Sequence, residues 1–237
     1  MRMKFKPWAR EELETSPFYI DNPCDYKGKW KTAFERQAPI YVELGCGKGN
    51  FIAQLSKKNQ AINYIAVDLV DAMLGMAKRN VEATYGIRNS TVAEEVEDEI
   101  EKQKVVKNLK LIRYDISRIS DIFDKQDSIS RIYINFCNPW PRGKHHKKRL
   151  THERQLEQYA KFLNGEIFFK TDDDGLFEDS IKYFERSGYL IEKITRDLAS
   201  ELDFWNGESN VITEHERMFM NDGIKIKALI AKNIIDN

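Results

Sequence analysis

The chain is short of cysteine, of net charge and of long apolar runs, and each shortage excludes something. Its three cysteines, Cys24, Cys46 and Cys137, are scattered and form no C-x-x-C pair. They give neither a disulfide framework nor a cysteine metal motif, and read as reduced thiols of a reducing compartment, with Cys46 and Cys137 as small apolar fillers. The 38 basic side chains balance 38 acidic ones, so bulk electrostatics announces no nucleic-acid partner. No apolar run approaches the ~20 residues that a membrane span requires. The basic N-terminus has no apolar stretch behind it, so it is not read as a signal peptide. A cytoplasmic location is expected. No repeat or low-complexity linker appears, and 237 residues suit one α/β domain with one sizeable core.

The charge is unevenly placed. Arg2, Lys4, Lys6 and Arg10 share the first ten residues with no acid, and residues 139–152 carry Arg142, Lys144, His145, His146, Lys147, Lys148, Arg149 and His152, again with no acid. Such patches can bind phosphate whatever the net charge. Glu94, Glu95, Glu97, Asp98, Glu99 and Glu101 crowd one segment. Within 91–107, Val92, Val96 and Ile100 recur every four residues, which predicts a short amphipathic helix in a surface insertion.

After residue 39, strand-like and helix-like segments alternate. Runs rich in Ile, Val, Phe and Tyr predict strands at 40–44, 62–67, 109–114, 129–136, 166–170, 189–195 and 224–231. Helices are predicted at 49–58, 70–84, 151–163 and 175–187, the last with Gly188 as its C-cap. This alternation implies an α/β fold, doubly wound and Rossmann-like, with a mostly parallel seven-stranded sheet and helices on both faces. Residues 1–39, with Pro7, Pro17, Pro23 and Pro39, read as an irregular basic arm packed on a single domain, 40–237.

Two segments concentrate chemistry. The apolar run Ile40–Leu44 leads into Gly45, Gly47 and Gly49, and helical spacing resumes at Phe51. A glycine turn between strand and helix lets backbone approach a nucleotide-like ligand. Asp68 ends the next apolar run, where an acid can accept both hydroxyls of a ribose. A dinucleotide fold has the same acid, but its third glycine would fall at position 50, which is Asn50. Glu43, just before the loop, suits a cationic amino-acid end. The ligand these residues suggest is S-adenosyl-L-methionine.

The second segment is Asn138-Pro139-Trp140-Pro141-Arg142, after a strand that runs out at Phe136. The prolines fix one loop conformation at the carboxyl end of that strand, where ligands bind in open α/β sheets. An amide, an indole and a guanidinium held there suit a planar base. The basic run that follows suits phosphate, and its adjacent histidines have no Cys or acid at ligand spacing, so no metal is expected. Asp172, Asp173 and Asp174 fall where strand becomes helix; their ordinary role is N-capping, which suits Asp174 best.

Together these residues resemble the bacterial tRNA (guanine-N7)-methyltransferases, which are class I S-adenosylmethionine-dependent enzymes. The resemblance covers nearly the whole chain: Arg2 to Ala9, Asn22 to Trp30, the glycine loop, Asn135 to Leu150, Phe169 to Asp172, and Thr213-Glu214-His215-Glu216. It implies methyl transfer to N7 of the guanine at tRNA position 46, in the variable region, and a sheet whose last strand is antiparallel. It places donor contacts on Glu43, Asp68, Asp115 and Asn138 beside Gly45, Gly47 and Gly49, and tRNA contacts on Arg142, Asp172 and Thr213 to Glu216. Asp68 stands where the family usually has Glu, Arg142 where it usually has Lys, and Asn138 where it usually has an Asp commonly assigned as catalytic. His215 is more often an aromatic or another residue, and 91–107 is longer than usual. With N7 carrying a lone pair and no hydrogen, Asn138 is expected to orient the base, with Asp172 or Glu216 meeting the developing charge.

Two alternatives differ in class. Asn138-Pro-Trp-Pro distantly resembles the loop of adenine amino-methyltransferases, although its second proline is displaced past Trp140. An RNA-binding relative that lost catalysis, with Asn138 as the lesion, is the other. Oligomeric state is open between monomer and homodimer.

Overall fold

The computed structural model describes residues 5–87, 106–201, 203–205 and 210–234. Its centre is an eight-stranded sheet in the order β1-β4-β3-β2-β5-β6-β8-β7. The strands are β1 (Tyr19–Ile20), β2 (Ile40–Leu44), β3 (Asn63–Asp68), β4 (Leu109–Arg113), β5 (Ile129–Asn135), β6 (Leu163–Thr171), β7 (Tyr189–Thr195) and β8 (Lys227–Asn233). β1 through β6 pair in parallel, whereas β8 inserts antiparallel between β6 and β7.

The strands are buried on both faces, so their side chains divide between two cores. Val42, Leu44, Ile65, Val67, Ile132 and Ile134 point into one. Tyr64, Ala66, Leu111, Tyr133 and Phe168 point into the other. Helices α1 (Trp8–Glu14), α2 (Asn50–Lys58) and α3 (Asp71–Tyr85) cover the second face through Leu13, Ile52, Leu55, Leu74 and Val81. Helices α4 (Glu153–Ala160) and α5 (Asp174–Arg186) cover the first through Leu156, Tyr159, Leu176, Phe177 and Phe184. α6 (Glu214–Asn221) packs Phe219 against the α1–α3 side. From β2 the chain winds outward through β3 and β4, then returns to β5 on β2's other edge. Carboxyl ends at such a reversal diverge and open a crevice.

The sheet has one strand more than the seven expected, and the arm expected to be irregular supplies it. β1 pairs with β4 over Tyr19↔Leu111 and Ile20↔Ile112; two residues give no alternation for a sequence pattern to register. The same arm carries α1, seven residues that follow Pro7. α1 packs closely on α3, since a Cβ on Gly75 would stand 2.7 Å from Ala9 Cβ. α4 starts later than expected because His152 caps it, its ring nitrogen accepting from Arg154 N–H, and it ends at Ala160 because β6 already begins at Leu163. The amphipathic helix expected within 91–107 falls almost wholly outside the described residues, as do Arg2 and Lys4 of the basic arm. No helix among the described residues is long and apolar enough to cross a membrane.

Candidate functional site

The glycine loop is tied to the tip of β3. Gly45 N and Cys46 N both donate to Val67 O, at 2.9 and 3.0 Å. Asp68 holds the turn from its other side, with Oδ2 accepting from Gly47 N and Oδ1 from Val70 N, each at 2.9 Å. Burial raises the Asp68 pKa, against the pull of the Val70 and Gly47 amides. Each oxygen keeps a second lone pair for a hydroxyl. Gly49 starts α2 at φ 70°, and a Cβ there would lie 2.7 Å from Ala77 Cβ. A side chain at that position would push α2 away from α3.

Glu43 sits beneath the loop, almost wholly buried. Its Oε1 accepts from Asn135 Nδ2 at 3.0 Å, and its Oε2 is buried with no partner among the described residues. Burial pushes its pKa up to about 8; the Asn135 hydrogen bond and the Lys170 charge pull down, and Asp68 adds to the rise. An unpaired buried carboxylate oxygen is costly, and an ammonium seated there would satisfy it. That fits the amino-acid end of the expected donor.

Sequence reasoning passed over Lys170 and Asn135. Lys170 is buried on β6, and its Nζ donates to Glu216 Oε2 at 2.6 Å, to Asn210 Oδ1 at 3.2 Å and to Val211 O at 3.2 Å. Burial lowers its pKa, while Glu216 and Glu43 raise it. Glu216 Oε1 also accepts from Asn210 Nδ2 at 2.6 Å. Both oxygens of Glu216 are therefore engaged inside the protein, and only 2% of the residue is exposed. It does not face the cleft as a base-gripping acid. A lysine within the apolar strand pattern around Phe169 was the available signal, because a buried ammonium requires a counter-ion.

The run Thr213–Glu216 opens α6. Thr213 Oγ1 accepts from Glu216 N, and the Glu216 side chain accepts from Thr213 N, a capping box. That S/T-x-x-E signature was legible in the sequence and would have located the helix. Cap and helix carry Glu214 and His215 to the glycine loop, where Lys48 Nζ meets Glu214 Oε2 at 3.1 Å. Phe136 lies between them in the left-handed region at φ 49°. Its ring stacks on His215 with centroids 5.9 Å apart and planes 24° apart, and Phe219 backs it at 5.9 Å. One open cleft of about 700 Å³ thus brings together Glu43, the glycine loop, Phe136, Thr213, Glu214 and His215.

Other expected residues follow the carboxyl ends of the parallel strands: Asp115 after β4, Asn138 after β5 and Asp172 after β6. Asn138 is exposed, and its Oδ1 accepts from Trp140 N at 3.0 Å. This turn holds Trp140 at φ 44°. The Trp140 ring is half-buried, against the His145 edge at 5.8 Å and under Lys148 Nζ at 4.9 Å. Arg142 is exposed and precedes a 3-10 turn, Gly143–Lys148. Arg149 ends the basic run but faces inward. It donates to Pro139 O at 2.6 Å and pairs with Asp179 at 2.7 Å, so it braces the proline loop. Asp115 caps a 3-10 turn after β4, accepting from Ser117 N, and lines a neighbouring cleft with Leu69. Asp172 is half-buried at the end of β6, and its carbonyl accepts from Lys227 Nζ at 2.9 Å. The cap of α5 is Asp173, not Asp174; Asp174 is the helix's first residue and pairs with Lys227. Among the described residues no group of three or more His, Cys, Asp or Glu is placed to hold a metal ion.

A family profile described as a putative methyltransferase matches residues 37–229. Two curated relatives carry the name tRNA (guanine-N(7)-)-methyltransferase. That of Clostridium beijerinckii is 53% identical over 98% of each chain. That of Clostridium perfringens is 50% identical over 99% of this chain and 100% of its own. A solved methyltransferase of Pyrococcus furiosus is 15% identical, with a TM-score of 0.52 over 86% of this chain and 79% of that one. A solved 16S rRNA methyltransferase is 12% identical, again with a TM-score of 0.52, over 97% and 94%. At these identities the two structures speak for the fold alone.

Proposed function

The chain belongs to the tRNA (guanine-N(7)-)-methyltransferase family, and from that premise we propose that it methylates N7 of the guanine at position 46 of tRNA, with S-adenosyl-L-methionine as donor. The observation that carries the site reading is the meeting, at one carboxyl edge, of the unpartnered Glu43 oxygen, the glycine loop and Asp68. Glu43 and Asn135 would take the donor's ammonium end, the loop, with glycines at 45, 47 and 49, would leave room for its middle, and Asp68 would accept from its ribose.

The donor supplies a methyl group on a positive sulfur. The N7 lone pair forms the new C–N bond as the C–S bond breaks, and that electron pair stays on sulfur as a neutral thioether. No proton leaves N7, so the site needs no base there. The residues must instead hold the guanine in line and tolerate the charge the purine gains; orientation of this kind supplies several kcal/mol of a barrier. Phe136 and His215, stacked beside the glycine loop, offer flat surfaces for an unstacked base, the way single-stranded RNA bases are commonly held. Asp172 is the acid left for the developing charge, because Lys170 holds Glu216 and Lys48 meets Glu214. Asn138 shapes the loop through Trp140, and exposed Arg142, Lys147 and Lys148 face tRNA phosphate.

The deciding experiment incubates the protein with labelled donor and unmodified tRNA and maps the methylated atom. Label at N7 of guanine 46 is expected. Label on an adenine amino group would favour the amino-methyltransferase reading, and tRNA binding with no label would favour the binding-only relative.

A further inference from the structure

The neighbouring cleft, lined by Leu69 just past the tip of β3, has a wall that comes from the N-terminal arm. β1 runs parallel to β4, so the arm leaves the sheet at the same carboxyl edge as Arg113, Tyr114 and Asp115. There it turns through a 3-10 segment, Pro23–Tyr26. Across an open cleft of about 920 Å³, Asn22, Cys24 and Asp25 face Leu69, Tyr114 and Asp115. The wall is anchored at several points. Arg10 pairs with Asp21, Cys24 Sγ donates to Tyr114 Oη at 3.8 Å, and Lys27 Nζ donates to Ser120 O at 2.7 Å.

Leu69 follows the ribose-facing Asp68 directly and is 49% exposed, an apolar surface left open at the edge of the site. Leu69 and Asp115 line the same cleft, so a base placed there would meet an apolar edge, one residue on from the tip of β3, and a carboxylate. We infer that Asn22 to Asp25 form the outer wall of the adenine pocket, so that the arm completes the donor site. This rests on the donor reading above.

Cys24 reports on this directly, because it is exposed whereas Cys46 is buried and Cys137 half-buried. The full-length protein is treated with a thiol reagent with and without S-adenosylhomocysteine, and modification of each cysteine is followed by peptide mass analysis. Since a pocket buries most of its ligand's surface, the ligand should slow Cys24 modification by about tenfold or more. In parallel, Cys24→Trp should weaken S-adenosylhomocysteine binding by about tenfold or more, and Cys24→Ser by less than about twofold, with melting temperature and tRNA affinity kept in both. Calorimetry establishes saturation independently. An unchanged Cys24 rate at calorimetric saturation, or normal ligand affinity in folded Cys24→Trp, would overturn the assignment. Absence of calorimetric binding in the unaltered protein would instead overturn the donor reading itself.

Discussion

Among the described residues, Glu43 receives one side-chain hydrogen bond, from Asn135 at 3.0 Å, while its second oxygen lies buried and unpartnered. A carboxyl in that setting keeps its proton to about pH 8. The folded pKa is raised, so between about 4.5 and about 8 the folded state holds a proton that the unfolded chain has released. Stability of the ligand-free protein should therefore fall as pH rises through that window and level off above it. If Glu43 holds the donor's ammonium as a carboxylate, donor binding should release a proton near neutral pH and tighten up to about pH 8. Calorimetry in buffers of different ionisation enthalpy measures that proton. Glu43→Gln should release none, and equal apparent enthalpies for the unaltered protein across buffers would refute the assignment.

Asp68 is bound at both oxygens by backbone, to Gly47 and Val70, so its removal does two things. It loosens the glycine loop and leaves the ribose hydroxyls unpaired. The second effect alone costs about 1–3 kcal/mol, or roughly five- to 150-fold in donor affinity. Titration of Asp68→Ala with S-adenosylhomocysteine should show at least that loss. Affinity equal to that of the unaltered protein would remove Asp68 from the site.

The Lys170–Glu216 pair, 2.6 Å apart and almost unexposed, should behave as a structural unit. Lys170→Met strands a buried carboxylate, and breaking such a pair costs about 3–5 kcal/mol. The double variant Lys170→Met/Glu216→Gln should recover a good part of that. Denaturant unfolding tests both. Equal losses in the single and the double variant would mean the pair is not coupled.

The contrast between Glu43 and Glu216 shows how far the sequence reached. The order of β2 to β8 and of α2 to α5, the glycine turn and the acid at the tip of β3 were legible because each depends on local pattern: apolar periodicity, residues without side chains, one acid at a strand end. Helices α1 and α6 were not read. Glu43 was legible for the same reason, since it adjoins the loop. Glu216 sits in a segment that the family resemblance places at the RNA, yet its partner Lys170 is 46 positions away. Only the docking of α6 beside β6 decides which way that carboxylate faces. Arg149 is parallel: within a basic run it reads as a phosphate ligand, but Asp179 and the Pro139 carbonyl claim it. β1 was invisible because two residues carry no period.

Lys147 and Lys148 remain exposed on the basic turn. If tRNA phosphates lie there, affinity should fall steeply with salt, by a log–log slope of up to roughly −0.9 per duplex phosphate contact. Reversing both to Glu should weaken tRNA binding and flatten that slope while donor affinity holds. A variant with the same affinity and slope would move the RNA face elsewhere.

Asn138 is the departure that bears on mechanism. Its Oδ1 accepts from the Trp140 amide, and a carboxylate oxygen at the same place would accept that bond equally well. Asn and Asp are thus interchangeable in forming the turn, and the amide further keeps two N–H donors. This geometry lets residue 138 shape the Pro139–Pro141 loop and offer a polar edge, and on the orienting proposal it transfers no proton. Asn138→Asp should keep activity within about tenfold, whereas Asn138→Ala, which frees Trp140 from its φ 44° turn, should cost on the order of a hundredfold through lost positioning. Because the effect is one of position, the Ala variant should lose rate at all pH values alike, and the two pH–rate profiles should have the same shape. An unaltered protein that is inert on unmodified tRNA, together with an Asn138→Asp variant that is active, would show that a carboxylate is required after all.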